Sequence, residues 1–233
     1  MIDDYFDRLF EDDDFPAFYI AIRFGAVERY LERLLEFVPH IQKQTFVRFD
    51  AQMKRDASRL SREDIEIEVE HVTAEIENRI PSSFYGSFVL VLYAELESAI
   101  SDVAGYVRKK ESAQLTIQDL REPNSFKRLS LYLETLMKEP LSTPADVVEF
   151  LHQLQLVRNI LAHANGSLRD QRQDRRAALQ RCVDENVGLL IEDNCLIPTP
   201  RFLQKGISTA AAFVNAILKQ LAAKYPITPR VAH

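Results

Sequence analysis

With 233 residues and 46% hydrophobic content, the chain can bury a sizeable core as one domain or two small ones, which excludes a disordered polypeptide. Its net charge of −6 is concentrated at the start, where Asp3, Asp4, Asp7, Glu11, Asp12, Asp13 and Asp14 oppose only Arg8, so the remainder is electrically balanced. Cys182 and Cys195 lack CxxC spacing and a His cluster, which predicts reduced core thiols and no metal site. The acidic N-terminus and interrupted apolar runs predict no secretory leader, no membrane span and a cytoplasmic protein.

After Pro16, apolar residues at Ile20, Ala26, Tyr30, Leu34 and Val38 predict an amphipathic helix ending at Pro39, followed by a polar stretch over 40–60. The run Ile65-Glu66-Ile67-Glu68-Val69 alternates like a strand. Helix wins on length, because Ile65, Val69, Val72, Ile76 and Ile80 continue at helical steps and residues 61–64 resemble a capping box. Pro81 ends that helix or begins its successor. Residues 83–110, apolar at Phe84, Phe88, Val91, Leu92, Leu96, Ile100, Val103 and Val107, predict the spine of the core. Pro123 and Asn124 precede a shorter helix through Phe126, Leu129, Leu131, Leu133 and Met137.

The next helix carries Val147, Val148, Leu151, Leu154, Leu156, Ile160 and Leu161. Thr143 is a candidate cap, Pro144 fits the first turn, and Asn165-Gly166 fits a left-handed stop. An Arg-rich helix then runs to about residue 186. Two short strands over 188–191 and 195–197 flank the turn Glu192-Asp193-Asn194, and residues 210–223 predict a final helix. The fold class is mostly α, with a small C-terminal β-hairpin. Residues 1–80 read as an N-terminal helical extension and 81–230 as the main domain.

The stretch Arg158-Asn159-Ile160-Leu161-Ala162-His163 puts a fixed cation and a titratable imidazole at one helix end, a pairing suited to phosphodiester chemistry. An Arg-to-His spacing of this size arises roughly once by chance in such a chain, so the surrounding pattern carries the weight. On a helix, a five-residue step rotates about 140°, so the two side chains flank a face. A second copy across a two-fold axis would complete one cleft.

The pattern from Leu154 to Gly166 resembles the signature of the HEPN superfamily, helical domains carrying Arg, a polar residue, a short spacer and His. The helix containing Leu92-Tyr93-Ala94-Glu95-Leu96-Glu97-Ser98-Ala99-Ile100 is similar to the first core helix of bacterial members, and the likeness covers about residues 80–225. It implies a HEPN-like helical bundle acting as a homodimeric, metal-independent endoribonuclease without a cofactor, in toxin or antiphage defence. Its implied partners are RNA and an antitoxin or defence-system protein. Other members are non-catalytic interaction or dimerisation modules, and that alternative stays open. In toxins paired with nucleotidyltransferase antitoxins, a Tyr commonly stands two residues after the His; here that position is Asn165, so modification of such a Tyr is not implied.

Within that likeness Arg158 would bind the scissile phosphate and His163 would move protons, a contribution of roughly 10²- to 10⁴-fold. A surface ion pair and a capping His are the structural alternatives. Asn159 would orient a phosphate oxygen or His163, with a polar contact in a dimer seam as its alternative. The family resemblance alone suggests that Glu97 pairs with Arg158 or orients the His; a salt bridge holding the fold is the other reading. Arg169, Arg172, Arg175 and Arg176 belong to a segment, 158–181, with six Arg against Asp170 and Asp174. That segment would track an RNA backbone or form a solvated helix face.

Overall fold

The computed structural model describes residues 15–56, 58–185 and 187–226. The fold is mostly helical, with one two-stranded antiparallel hairpin near the C-terminus. The acidic run over 1–14, including Asp12-Asp13-Asp14, lies outside the described residues. In chain order the elements are α1 (Ala17–Asp56), α2 (Arg62–Ala74), α3 (Ile80–Lys110), α4 (Ser125–Met137), α5 (Ala145–Ala164), α6 (Gln173–Asp184), β1 (Leu189–Glu192), β2 (Cys195–Pro198) and α7 (Pro200–Lys224). A π-helical turn, Glu75–Arg79, joins α2 to α3. The chain divides into two compact units, each discontinuous in sequence.

The first unit takes residues 15–28, 91–154 and 206–226. Leu92, Leu96, Val103 and Val107 of α3 are buried with Leu129 and Leu133 of α4 and Phe213, Ile217 and Leu221 of α7. Phe126 ties three helices, edge-on to Tyr93 at 6.0 Å and to Phe213 at 5.6 Å. Gly206 lets α7 approach α3 closely, since a Cβ there would lie 3.1 Å from Leu92 Cδ2. Arg23 of α1 bridges Glu95 and Asp102 on α3, and Asn124 caps α4 by accepting from the Phe126 and Lys127 amides.

The second unit takes residues 29–56, 58–90, 155–185 and 187–205. Here α1 runs antiparallel to the π-turn and the start of α3, as Tyr30 against Phe88, Phe37 against Phe84 and the Gln42–Ile76 hydrogen bond show. The expected helix end at Pro39 is corrected: α1 continues to Asp56, and most of the stretch expected to be a polar connection is helical. Proline removes one i→i−4 bond, at a cost of roughly 3 kcal/mol. The inward stripe nevertheless continues through Ile41, Thr45, Phe49 and Met53, all partly covered, so contacts beyond the proline hold the helix together.

Helix α2 confirms the helical reading of its alternating segment, and Ser61 and Asp64 form a reciprocal capping box. Its apolar stripe, however, buries no residue, and Val69 is 45% exposed. The spine helix starts at Ile80, with Pro81 in its first turn, and Val91 and Leu131 stand exposed where an inward position was expected. The turn between β1 and β2 has positive φ at Asp193 and Asn194, which suits a tight hairpin. Helix α7 begins ten residues before its expected start, at Pro200, where a proline fits the first turn. Contrary to the expectation of no spanning segment, α7 is long and apolar enough to cross a membrane. Just over half of the qualifying window, 56%, is buried inside the protein, as in a core helix.

Candidate functional site

Within the second unit, α5 buries Val157, Ile160 and Leu161. Its other face holds Leu156 and Asn159, both partly covered, and His163, which is exposed. Steps of three and four place these last three residues on one stripe. Arg158 sits beside the stripe, half-buried, and its Nη1 donates to Asn159 Oδ1 at 3.0 Å. That bond fixes the Asn159 amide oxygen as an acceptor and leaves its NH₂ to donate elsewhere. The His163 ring makes no hydrogen bond or ion pair with the described residues. A cation, an amide donor and an accessible imidazole therefore share one accessible side of the last two turns.

The end of α5 is clamped. Asn165 and Gly166 take φ values of 48° and 80°, as expected for a left-handed stop, and the Gly166 amide reaches back to Ile160 O at 3.3 Å. The chain then pairs with the hairpin: Leu196 N–H donates to Gly166 O at 2.9 Å and Leu168 N–H donates to Asn194 O at 2.8 Å. Ser82 Oγ on α3 completes the clamp by donating to Leu196 O at 3.2 Å. His163 thus projects from a turn whose following residues are held by backbone bonds, which limits how far its ring can wander. Sequence reading missed this clamp, because only Asn165-Gly166 marked it and the partners lie about thirty residues downstream.

The four basic residues beyond the clamp are all exposed, and two are engaged. Arg172 Nε pairs with Asp174 at 3.3 Å, and Arg176 Nη2 donates to Asn194 Oδ1 at 2.6 Å, tying α6 to the hairpin turn. Arg169 and Arg175 have no ion pair among the described residues. Glu97 lies in the first unit, where Oε1 accepts from Ser125 Oγ at 3.3 Å, at the first residue of α4. A carboxylate beside a helix N-terminus is favourably placed against its dipole. His152, also in the first unit, is half-buried with Nε2 unpartnered among the described residues. Burial first and the Lys127 charge second push its pKa down, against a smaller opposing effect of Glu149.

Among the described residues, no three His, Cys, Asp or Glu side chains converge to hold a metal ion. The chain matches no family model, no curated protein and no solved structure.

Proposed function

We propose that this protein is a HEPN-like, metal-independent endoribonuclease, acting as a cytoplasmic homodimer in toxin or antiphage defence. The observation that carries the reading is the pairing on α5 of an accessible, unbonded His163 with Arg158 and Asn159, next to a rigid clamp. A purely structural His at a helix end would be expected to spend its ring nitrogens on capping carbonyls or an ion pair. This one keeps both available.

In the proposed reaction the ribose 2′-oxygen attacks the adjacent phosphorus while His163 accepts the hydroxyl proton. The P–O5′ bond then breaks, and the departing oxygen receives a proton from an imidazolium. The products are a 2′,3′-cyclic phosphate and a 5′-hydroxyl end. Arg158 holds the non-bridging oxygens as negative charge builds, and the Asn159 amide donates to the same group. The half-buried Leu156, on the same stripe as Asn159 and His163, supports two-fold pairing of α5, which would bring a second Arg–His set to the same cleft.

The test is cleavage of a mixed RNA substrate by the full chain in EDTA, with wild type, His163→Ala and Arg158→Ala compared. Metal-free cleavage leaving cyclic phosphate ends, lost in both variants, supports the reading. Undiminished cleavage by His163→Ala would overturn the chemistry. Stable dimers with no cleavage would instead favour a non-catalytic HEPN interaction module.

A further inference from the structure

A cavity of about 550 Å³ opens in the second unit between the π-turn at the head of α3, the last turn of α5 and the start of β2. Its walls divide by chemistry. Leu90 and Leu161 supply apolar surface; Arg79, Ser82, Ser83 and Asn165 supply polar groups. The size falls within the range of small-molecule sites, roughly 300–1,000 Å³. The lining residues are mainly polar, with Ser87, already bonded to Phe84 O and Tyr30, joining the four groups above against two leucines.

Each polar group has a definable remaining capacity. Arg79 shares one N–H with His71 Nε2 at 3.4 Å, which leaves most of its guanidinium fork for an anion. Ser82 spends its proton on Leu196 O and keeps lone pairs to accept. Ser83 and the Asn165 side chain make no hydrogen bond with the described residues, and both are exposed at the rim. The π-helical turn over Glu75–Arg79 breaks the ordinary helical rotation just where Arg79 must face the cavity, and such turns recur at functional sites. Gly86 keeps α3 close to α5, since a Cβ there would stand 3.2 Å from Leu161 Cδ2.

We propose that this cavity holds one nucleotide of an RNA strand, its phosphate on Arg79 and its base against Leu90 and Leu161, where the Asn165 amide reads the base edge. A cation, hydroxyl acceptors, an amide and an apolar wall match a phosphate, a ribose and a planar heterocycle in one ligand. Asn165 lies two residues beyond His163, so their Cα atoms are at most about 7 Å apart. Leu161 faces the cavity and His163 the other side of α5, so a strand held here would pass round the helix end to reach the imidazole, which makes Arg79 and Asn165 specificity-determining residues of the ribonuclease. The inference rests on that reading for the strand's fate, but not for the ligand class.

Cys195 lines the same cavity as a free thiol, whereas Cys182 is buried at 4% exposure, so the thiol itself reports occupancy. The experiment follows the rate of Cys195 modification by a disulfide reagent on the full chain. Its ligands are each of the four nucleoside 5′-monophosphates, the nucleosides and inorganic phosphate, with Cys195→Ser giving the background. Monophosphates should slow the reaction by more than half at millimolar concentration, more than either fragment alone, and Arg79→Gln should remove the phosphate-dependent part. The same substitution should raise KM for short RNA about tenfold, the loss expected for one partly screened charged hydrogen bond, with kcat little changed.

No protection by any monophosphate, or equal protection by inorganic phosphate alone, would overturn the assignment. So would unaltered protection in Arg79→Gln. Protection should persist in His163→Ala, whose side chain is not in the cavity wall. If nucleotides protect Cys195 but the wild type cuts no RNA, the ribonuclease reading fails and the nucleotide site stands. If RNA is cut with the same KM in Arg79→Gln and nothing protects the thiol, the site fails and the ribonuclease stands.

Discussion

Three glycines give a set of substitutions whose order follows from geometry alone. Gly188 has φ of +92°, and a Cβ there would lie 2.6 Å from the Phe202 backbone nitrogen and 2.9 Å from Thr199 Oγ1. A left-handed L-residue costs roughly 1–2 kcal/mol, and the clash with backbone that cannot rotate away adds about 1–3 kcal/mol. Gly188→Ala should therefore lose about 2–5 kcal/mol, the more so because Thr199 donates to Gly188 O through both its amide and its hydroxyl. Gly166→Ala has the same conformational cost at φ +80°, but its nearest neighbour is Leu196 O at 3.3 Å, so a loss near 1–2 kcal/mol is expected. Gly105 sits inside α3 with nothing within 4 Å of the added carbon, and Gly105→Ala should gain about 0.5–1 kcal/mol. Scanning calorimetry reads these values, each kcal/mol moving the melting temperature by about 2–4 °C in a chain of this size. If Gly188→Ala melts within about 1 °C of wild type, or the three changes fall in another order, the close approach of β1 to the start of α7 is not as described.

Gly166→Ala should also lower RNA cleavage, because the clamp that follows His163 loosens; activity equal to wild type at a lowered melting temperature would separate the clamp from the chemistry. His152 gives a pH signature. Its folded pKa lies below the ordinary value near 6.5, so the unfolded chain takes up a proton that the folded chain resists. Stability should accordingly be full above about pH 6.5 and fall as pH drops below it, until the folded-state pKa is passed. Urea midpoints for wild type and His152→Gln between pH 7.5 and 5.5 test this, and parallel curves would refute it. For RNA contacts, Arg169 and Arg175 are the informative pair, since Arg172 and Arg176 already have protein partners. Changing both to Gln should flatten the salt dependence of RNA binding by about 0.7 log–log units per lost single-strand contact, and an unchanged slope would make the segment an ordinary charged face. Light scattering on wild type and Leu156→Arg tests the two-fold pairing of α5. A monomeric wild type with full ribonuclease activity would remove it.

The helices were legible where one local cause was enough. The capping box at Ser61, the Asn165-Gly166 stop and the turn at Asp193-Asn194 act over a few residues, and each was readable from side-chain chemistry and backbone freedom alone. The common placement of Arg158, Asn159 and His163 on one helix was legible for the same reason, since they lie within two turns of each other. Position in the fold was not. Pro39 looks like a terminator because its missing N–H is a local fact, while the stripe that carries α1 past it depends on a facing helix met only after the chain turns back. Val69, Val91 and Leu131 fit the apolar period yet stand exposed, because periodicity defines a face without saying whether anything covers it. Likewise the tertiary structure alone brings Arg79, Ser83, Asn165 and Cys195 around one cavity and hands Arg176 to the hairpin. These are long-range juxtapositions, set by how buried faces and backbone bonds are shared between elements, and no local pattern in the chain encodes them.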